Sequence, residues 1–254
     1  MGRPRVVHRV LPTFRLRPYD YDALFEDKLK LLLKIRAGER ITWSGEFRAP
    51  INDLGVYPRP VQDPMPVWLG VGGNPNSVVR AAHLGLQLVI AIIGGVPERF
   101  APLVDLYRQS ARQAGHDPAT LPVAIKQHAF IADDSDDAAN TFWPPHEQVM
   151  TQIGRERGQP MTRESYDVLR SPRGALLVGD PQQVIDKMLA EHDQLKYDRF
   201  LVQFSVGTVA HDKVMRAIEL LHGSRPSCAQ GNGGHRRGAR RLSIGPATPW
   251  LIPR

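Results

Sequence analysis

The sequence predicts an α/β fold built on a parallel β-sheet, and three features support this prediction. Apolar segments of strand length alternate with amphipathic helical segments between residues 66 and 221. The apolar segments lack polar alternation, as expected of strands that are covered on both faces. Within residues 66–93 a strand, a glycine turn, a helix and a second strand follow one another, which is the pattern of a βαβ unit. A closed barrel and an open doubly wound sheet both fit these features.

The predicted fold begins with a helix and a hairpin. Asp20 or Asp22 can cap a helix that ends near Gly38, because this segment has one apolar and one charged face. The predicted apolar face consists of Phe25, Leu29, Leu32 and Ile35. Residues 42–47 and 51–57 are predicted to form a small hairpin or an extended segment outside the main sheet. The prolines that follow restrict the backbone up to the next strand.

The βαβ unit has the clearest boundaries. Its first strand stops at the glycine pair Gly72-Gly73, and Asn74 can cap the helix that follows. Pro75 suits the first helical position because it has no amide hydrogen to leave unpaired. The helix is predicted to end at Gly85 in a left-handed cap, and residues 88–93 form the next buried strand.

The start of this helix is a candidate phosphate site. Gly72 and Gly73 let a ligand approach the backbone, and Asn74 and Ser77 add polar groups. The positive end of the helix dipole favours an anion at the same place. A strand-to-helix turn without a ligand explains the spacing equally well, because Gly-x-Gly-Gly is weaker than a full dinucleotide fingerprint.

The rest of the chain continues the alternation of helices and strands. After a turn at Gly94-Gly95, a helix is predicted from Pro97 to Gly115, with Phe100, Leu103, Val104, Tyr107 and Ala111 facing inward. Residues 122–131 are predicted as a strand. Residues 133–170 are interpreted as an insertion over one end of the sheet, broken at Trp143-Pro144-Pro145.

The C-terminal part is predicted to add one more strand between two helices. A brief apolar run at residues 175–178 precedes a helix at 182–195, a strand at 199–206 and a helix at 211–221. The last helix is predicted to pack on the sheet through Val214, Ile218 and Leu221. Only about four strand and helix pairs are evident, half of what a closed eightfold barrel contains.

Composition limits the class of protein. A chain of 254 residues that is 42% hydrophobic suits one large globular domain or two small ones. It has no apolar run long enough to span a bilayer and no signal-peptide layout, so the sequence predicts a cytoplasmic protein with no membrane partner. Cys228 is the only cysteine, which excludes an internal disulfide framework.

The net charge of +7 belongs to the two ends of the chain. Residues 1–18 contain five arginines and residues 224–254 contain six, and neither segment has an acidic residue. Removing these eleven arginines from the 33 basic residues leaves 22 against 26 acidic ones, a net charge of −4 for residues 19–223. A nucleic-acid partner is therefore disfavoured, because these arms carry no aromatic platform or recognition motif.

Two kinds of chemistry lack support in the sequence. His146 and Glu147 have no second histidine at helical spacing, and no cysteine pair exists, so no metal site is predicted. No Gly-x-Ser-x-Gly elbow is present, which leaves nucleophilic hydrolysis without a motif.

Four other polar residues are candidates for contacts with a ligand. His128, late in its strand, is the best candidate for a proton donor or substrate contact, although a buried histidine bound to a carbonyl is the commoner outcome. Gln203 and Ser205 alternate along the last strand and face the same side, as ligand contacts or as polar core groups. Arg173 can pair with a phosphate or, as the favoured alternative, with a carboxylate of the insertion.

Four segments of the chain together match one known family: DYDALFEDKLKLLLKIRAGERITWSGEFR, GVYPRPVQDPMPVWLGVGGNPNSVVRAAHLGLQLVIAIIGG, PRGALLVGDPQQVIDKM and DRFLVQFSVGTVAHDKVMRAIELL. They resemble the bacterial-luciferase-like monooxygenases, a superfamily of flavin-dependent oxidoreductases, and the resemblance runs from residue 19 to residue 223. It implies a (β/α)8 TIM barrel, of which this chain supplies the C-terminal half. It also implies FMN as cofactor, with coenzyme F420 as the alternative.

The resemblance implies roles for particular residues. Gly72, Gly73, Asn74 and Ser77 are expected to meet the flavin phosphate, with Asn74 standing where the family usually has a threonine. Ile93, Gly94 and Gly95 are expected beside the flavin ring, at the barrel mouth. Alternation along the last strand, and not the resemblance, makes Gln203 a candidate for the flavin edge or the substrate, with a polar core group as the alternative. The cofactor carries the oxidoreductive chemistry, and the protein supplies placement, electrostatics and exclusion of water.

The two ends depart from the family pattern. Members carry four strand and helix units before the position of residue 19, closing with a motif resembling GRGSFxESFPLFGYDL. Residues 4–18 do not resemble it. However, codons that encode these residues can be chosen so that a shifted reading frame encodes such a motif. The hypothesis is that residues 1–18 and 224–254 are disordered basic products of frameshifts; the alternative is that both are genuine disordered arms.

The sequence thus predicts a flavin-dependent monooxygenase or oxidoreductase that uses reduced flavin and dioxygen on a small organic substrate. Because four strands cannot close a barrel, open sheet edges are expected to favour a homo-oligomer. Two other classes of function stay open: a non-catalytic remnant that binds flavin or phosphate, and a basic nucleic-acid-binding protein.

Overall fold

A computed structural model describes residues 20–155 and 160–223, and the basic ends predicted to be disordered lie outside them. The described residues form the α/β fold with a parallel sheet that the alternation predicts. The α-helices are α1 Tyr21–Ala37, α2 Pro75–His83, α3 Ala101–Gln113, α4 Ser135–Arg155, α5 Arg163–Arg170, α6 Pro181–Leu195 and α7 His211–Gly223. The strands are β1 Arg40–Trp43, β2 Ile51–Gly55, β3 Trp68–Val71, β4 Gln87–Ala91, β5 Val123–Ile131, β6 Leu177–Gly179 and β7 Arg199–Gln203.

The main sheet has five parallel strands around the long strand β5. β3 pairs with β4, and β4 pairs with the first half of β5. β7 pairs with β5 along residues 124–128, while the short strand β6 pairs with its last three residues. Among the described residues, no strand pairs with the outer edge of β3 or of β7, so closure of a barrel is not observed.

The two faces of the sheet differ in burial. Alternate residues of β3, β4 and β5, such as Leu69, Ile90 and Ile125, form a core with α2 and α3. Tyr107 of α3 is fully buried in this core, and its hydroxyl donates to the carbonyl of Leu86 at 2.6 Å. On the other face the residues of β3 and β4 are more accessible, and the Arg199 guanidinium crosses it to lie 5.2 Å from the centroid of the Trp68 ring.

The predicted first helix and hairpin are present, but the prediction that Leu32 lies on the buried face of the helix is wrong. Leu32 is 39% exposed, whereas Leu31 is buried with Ile41 and Ile51 of the antiparallel hairpin β1–β2. The reason is that α1 contacts two partners. Phe25 and Leu29 reach the main core, and Leu31 lies on another side of the helix, against the hairpin.

The predicted break at Trp143-Pro144-Pro145 is also wrong, because α4 continues through both prolines. Prolines inside a helix remove backbone donors and cost about 3 kcal/mol or more. Burial offsets this cost, since Ala138, Ala139 and Phe142 of α4 belong to a second core with β5 and β6. Residues 135–155 therefore form a core helix packed on the sheet.

Two further differences lie at the C-terminus. The last strand ends at Gln203, shorter than the predicted 199–206. In α7, Ile218 is 42% exposed and Ala217 is fully buried, so the face turned to the sheet differs from the predicted one. Val214 and Leu221 are half-buried.

Candidate functional site

The start of α2 has the predicted capped geometry. The side chain of Asn74 accepts a hydrogen bond from the Asn76 amide at 3.0 Å. The Asn74 carbonyl accepts bonds from the amides of Ser77 at 3.2 Å and of Val78 at 3.3 Å. Pro75 occupies the first turn. The helix therefore begins sharply after the glycine pair, and its positive end faces the turn.

The glycine pair in this turn leaves space above the backbone. A Cβ atom added to Gly72 would have no heavy atom within 4 Å, and Gly72 is exposed. Gly73 has φ +112°, a conformation that favours glycine, and its closest neighbour would be Phe100 at 3.8 Å. An anion can thus approach the amide end of α2 without displacing other chain.

A second glycine turn lies at the same edge of the sheet. β3 and β4 are parallel neighbours with Val71 opposite Ile90, so the turns after both strands emerge side by side. Ile93 is 37% exposed, and Cβ atoms added to Gly94 or Gly95 would meet nothing within 4 Å. The Gly95 carbonyl accepts a hydrogen bond from the Ala175 amide at 3.1 Å, which ties this turn to the segment before β6.

His128 and Gln203 face the same side of the sheet. They are direct partners in the parallel pairing of β5 and β7. Ala91 of β4 lies opposite Lys126, and the Ile92 amide continues this ladder by donating to the Lys126 carbonyl at 2.9 Å. Ile93 is thereby brought to the level of His128. His128 and Gln203 thus share one level of the sheet, with Ile93 just beyond the end of β4. Gln203 also donates to the Ser205 carbonyl at 3.3 Å.

The predicted alternative for His128, a ring bound to a carbonyl, is not what the structure has. The side chain is 6% exposed, and its Nδ1 is buried without a hydrogen-bond partner among the described residues. The ring of His146 packs against it edge to face, with its centroid 5.9 Å away. Burial, with smaller contributions from Lys126 and His146, lowers the pKa of His128 to about 4. His128 is therefore a neutral imidazole at pH 7.

Sequence reasoning considered His146 only as a metal ligand and missed that it lies beside His128. Its side chain is fully buried, and burial lowers its pKa to about 4. A signal was present, because Ala138, Phe142 and His146 recur every four residues, the spacing of one helix face. The proline pair between Phe142 and His146 hid this period.

The two buried histidines predict a specific response of stability to acid. A pKa lowered from 6.5 to about 4 means that the folded state resists protonation, so stability is present above pH 6.5 and is lost as the pH falls toward 4. Replacing His146 by phenylalanine removes one such group. Between pH 7 and pH 4.5, we expect the variant to lose roughly 2 to 3 kcal/mol less stability than the wild type.

This expectation is checked by urea unfolding at the two pH values. His83 is exposed on α2, and His83→Phe is the matched control that should parallel the wild type. An equal loss of stability in the wild type and in His146→Phe would show that His146 is not a buried neutral group.

Arg173 does pair with a carboxylate, but not with one of the predicted insertion. Its guanidinium lies 3.0 Å from Oε1 of Glu98, in the 3₁₀ turn Pro97–Phe100. The pairing follows from the backbone, because the Gly95–Ala175 hydrogen bond brings the two segments together. Arg173 is 78% exposed, and we assign this pair little stability.

A cavity of about 520 Å³ lies elsewhere, between α5 and α6, and none of the predicted site residues lines it. On its wall, the buried amino group of Lys187 donates to the carbonyls of Ser171 and Leu176, each at 2.8 Å. Burial lowers the pKa of Lys187 and raises that of Glu191, which accepts a bond from Gln127. These contacts fasten the segment between α5 and β6, a structural role.

The described part of the chain contains neither a metal-binding cluster nor a membrane-spanning helix. Within residues 20–155 and 160–223, no group of three or more His, Cys, Asp and Glu side chains is placed to hold a metal ion. No helix in the same part of the chain combines the length and the apolar character needed to cross a bilayer.

Comparison with protein families gives one match over most of the chain. A family model described as luciferase-like monooxygenase matches residues 5–197. The match includes residues 5–18, which do not resemble the family motif expected at that position. Among curated proteins, the uncharacterized protein y4vJ of Sinorhizobium fredii is 22% identical over 209 residues, 78% of this chain and 59% of the relative.

Solved structures share the fold. Monooxygenase RslO1 from Streptomyces bottropensis has a TM-score of 0.67 at 18% identity, over 83% of this chain and 62% of that one. The type II Baeyer–Villiger oxygenating constituent of 3,6-diketocamphane monooxygenase from Pseudomonas putida, in complex with FMN, gives 0.56 at 18%, over 80% and 62%. The coenzyme F420 dependent tetrahydromethanopterin reductase from Methanopyrus kandleri gives 0.53 at 19%, over 79% and 61%. The chain spans about three fifths of these proteins.

Proposed function

Because this chain belongs to the luciferase-like monooxygenase family, we propose that it binds a flavin at the two glycine turns and acts as a flavin-dependent oxidoreductase on a small organic substrate. The observation that carries the proposal is the open amide end of α2, where a Cβ atom added to Gly72 would have no neighbour within 4 Å. We further propose that the described α/β unit is the C-terminal half of a (β/α)8 barrel within a domain spanning residues 19–223.

The phosphate of the cofactor belongs, in this proposal, at Gly72, Gly73, Asn74 and Ser77. The turn fits such a group because its backbone is accessible and the helix dipole favours an anion there. FMN is the proposed cofactor and coenzyme F420 the alternative, since one structural relative is in complex with FMN and another is F420-dependent.

The flavin ring is assigned to Ile93, Gly94 and Gly95, and the substrate to the level of His128 and Gln203. When bound, the flavin supplies the hydride and dioxygen chemistry. The exposed side chain of Ile93 offers an apolar surface, and glycines at the next two positions leave the ring room. Gln203 can orient a polar group through its amide. His128, neutral at pH 7, can hold a proton at one ring nitrogen and accept at the other.

A comparison of FMN with riboflavin tests this proposal, because the two share the ring and differ in the phosphate. Charge-assisted hydrogen bonds are worth about 1.5–3 kcal/mol each, so we expect FMN to bind roughly 10- to 100-fold more tightly. Quenching of flavin fluorescence measures both affinities. Equal affinities would reject the phosphate site, and failure of both ligands and of F420 to bind would reject the flavin.

A non-catalytic flavin-binding chain is the second candidate. The observation that favours it is the absence, among residues 20–155 and 160–223, of strand partners for the outer edges of β3 and β7. Supplying reduced FMN and following substrate-dependent oxygen uptake distinguishes the two functions: binding without uptake supports the non-catalytic chain.

A further inference from the structure

Three imidazole nitrogens are enclosed together between β5 and α4. Both ring nitrogens of His146 and Nδ1 of His128 are buried and have no hydrogen-bond partner among the described residues. The rings meet edge to face at 81°, with their centroids 5.9 Å apart. His146 is completely enclosed, whereas His128 retains 6% exposure.

The other neighbours of His146 do not supply the missing partner. The ring of Phe142 lies 5.3 Å from it and the ring of Tyr166 5.5 Å, centroid to centroid. The Tyr166 hydroxyl donates its proton to the Ala139 carbonyl at 3.1 Å. An unsatisfied buried polar group destabilises the folded state, and buried polar groups normally bond to protein or to enclosed water.

The spacing of the two rings suits a shared partner. Their nitrogens are not in direct hydrogen-bond contact, yet a separation of 5.9 Å between centroids brings the ring edges close enough for one bridging molecule. A water molecule forms two bonds of about 2.8–3.0 Å and can donate to one ring while accepting from the other. One enclosed water would satisfy Nδ1 of His128 and one nitrogen of His146 together.

We propose that His146 is a positioning residue: through one enclosed water it hydrogen-bonds Nδ1 of His128 and holds His128 in a single tautomer. The nitrogen that carries the proton in a neutral imidazole is set by the bond that the other nitrogen makes. One nitrogen of His146 stays without a partner, and buried N–H groups are left unpaired more rarely than buried acceptors, so the proton of His146 stays on the nitrogen that meets the water. The water therefore accepts from His146 and donates to Nδ1 of His128, which places the His128 proton on Nε2, on the face shared with Gln203. The inference deepens the proposed function, on which the role of His128 in ligand contact rests.

The groups around His128 keep its ring neutral, so His146 controls the tautomer of His128 and not its charge. Lys126 lies two residues earlier on the same face of β5, and its positive charge opposes protonation of the ring. No acidic residue is among the groups that shift either histidine. Both rings are neutral at pH 7, so each offers one donor and one acceptor.

The test uses ¹⁵N NMR of the cofactor-free chain labelled at histidine, with the His128 signals assigned through His128→Gln. In the wild type we expect one donor-type and one acceptor-type nitrogen shift for His128. In His146→Phe the two shifts should move toward each other, as tautomers exchange. His146→Gln, which restores a donor and an acceptor, should recover the separation. His83→Phe, on the exposed side of α2, should leave it unchanged.

Two results would overturn the proposal. One is a wild-type His128 whose nitrogens are already averaged, which needs no variant and stands even where His146→Phe fails to fold. The other is a folded His146→Phe whose His128 shifts equal those of the wild type. Because no flavin is present, neither result depends on whether the chain binds one, and the flavin titration succeeds or fails separately.

Discussion

Replacing Gly72 by aspartate is expected to weaken FMN binding by about 100-fold while leaving the fold intact. Gly72 does not have a positive φ, and a Cβ atom there has open space, so the side chain is accommodated without strain. Its carboxylate would stand where the phosphate is proposed. Two like charges about 4 Å apart repel by roughly 1 kcal/mol in water and 4 kcal/mol at an intermediate dielectric, which brackets a 100-fold loss.

The matched control for this variant is Gly72→Asn, which has nearly the same shape without the charge. We expect Gly72→Asn to retain FMN binding within a few-fold, and riboflavin to bind both variants alike because it lacks the phosphate. If both substitutions weaken FMN binding equally, the volume of the new side chain, and not its charge, would be what prevents binding. Unchanged FMN binding in Gly72→Asp would place the phosphate elsewhere.

Replacing Gly174 by alanine is expected to be the most destabilising single change considered. Gly174 is buried, and an added Cβ would overlap the carbonyl oxygens of Leu169 and Val168. These are backbone atoms at the end of α5, where the Leu169 carbonyl also accepts the Leu176 amide at 2.9 Å. Neither Gly174 nor the end of α5 can move away without breaking that hydrogen bond. We expect a loss of at least about 3 kcal/mol, within the range for overpacking and broken buried bonds.

Thermal and urea unfolding measure this loss. A domain of this size loses roughly 2–4 °C of Tm per kcal/mol, so a fall of about 6–12 °C is expected. Gly70→Ala is the control, because Gly70 lies in β3 with no atom within 4 Å of an added Cβ and no positive φ. A Gly174→Ala protein as stable as Gly70→Ala would contradict the close approach of α5 to the segment before β6.

Local chemistry explains why much of the fold was predictable. The capped turn at Asn74 and Pro75 and the left-handed Gly85 depend on residues adjacent in sequence, and the structure confirms both, with φ +60° at Gly85. The apolar segments likewise form parallel strands, but only β5 and β6 are buried on both faces as predicted; β3 and β4 are buried on one face, and β7 has no buried residue. In each case the side chain or backbone preference acts within a few residues, so a single sequence contains the information.

The features that could not be predicted depend on contacts distant in sequence. α4 tolerates Pro144 and Pro145 only because its buried face packs on β5 and β6. Arg173 lies 75 residues from Glu98, and a hydrogen bond between other residues brings them together. The same holds for the candidate site. Its glycine turn could be predicted from residue spacing. The contact between His128 and His146 could not, because it depends on how α4 packs against β5.

The binding of the cofactor phosphate at the amide end of α2 is the central claim, and backbone NMR tests it most directly. FMN added to ¹⁵N-labelled chain should shift the amide signals of Gly72, Gly73, Asn74 and Ser77, and riboflavin should leave these four unshifted while still moving those of Ile93, Gly94 and Gly95. The claim is contradicted if FMN leaves the α2 amides unmoved, or if its phosphate-dependent shifts appear at the cavity between α5 and α6.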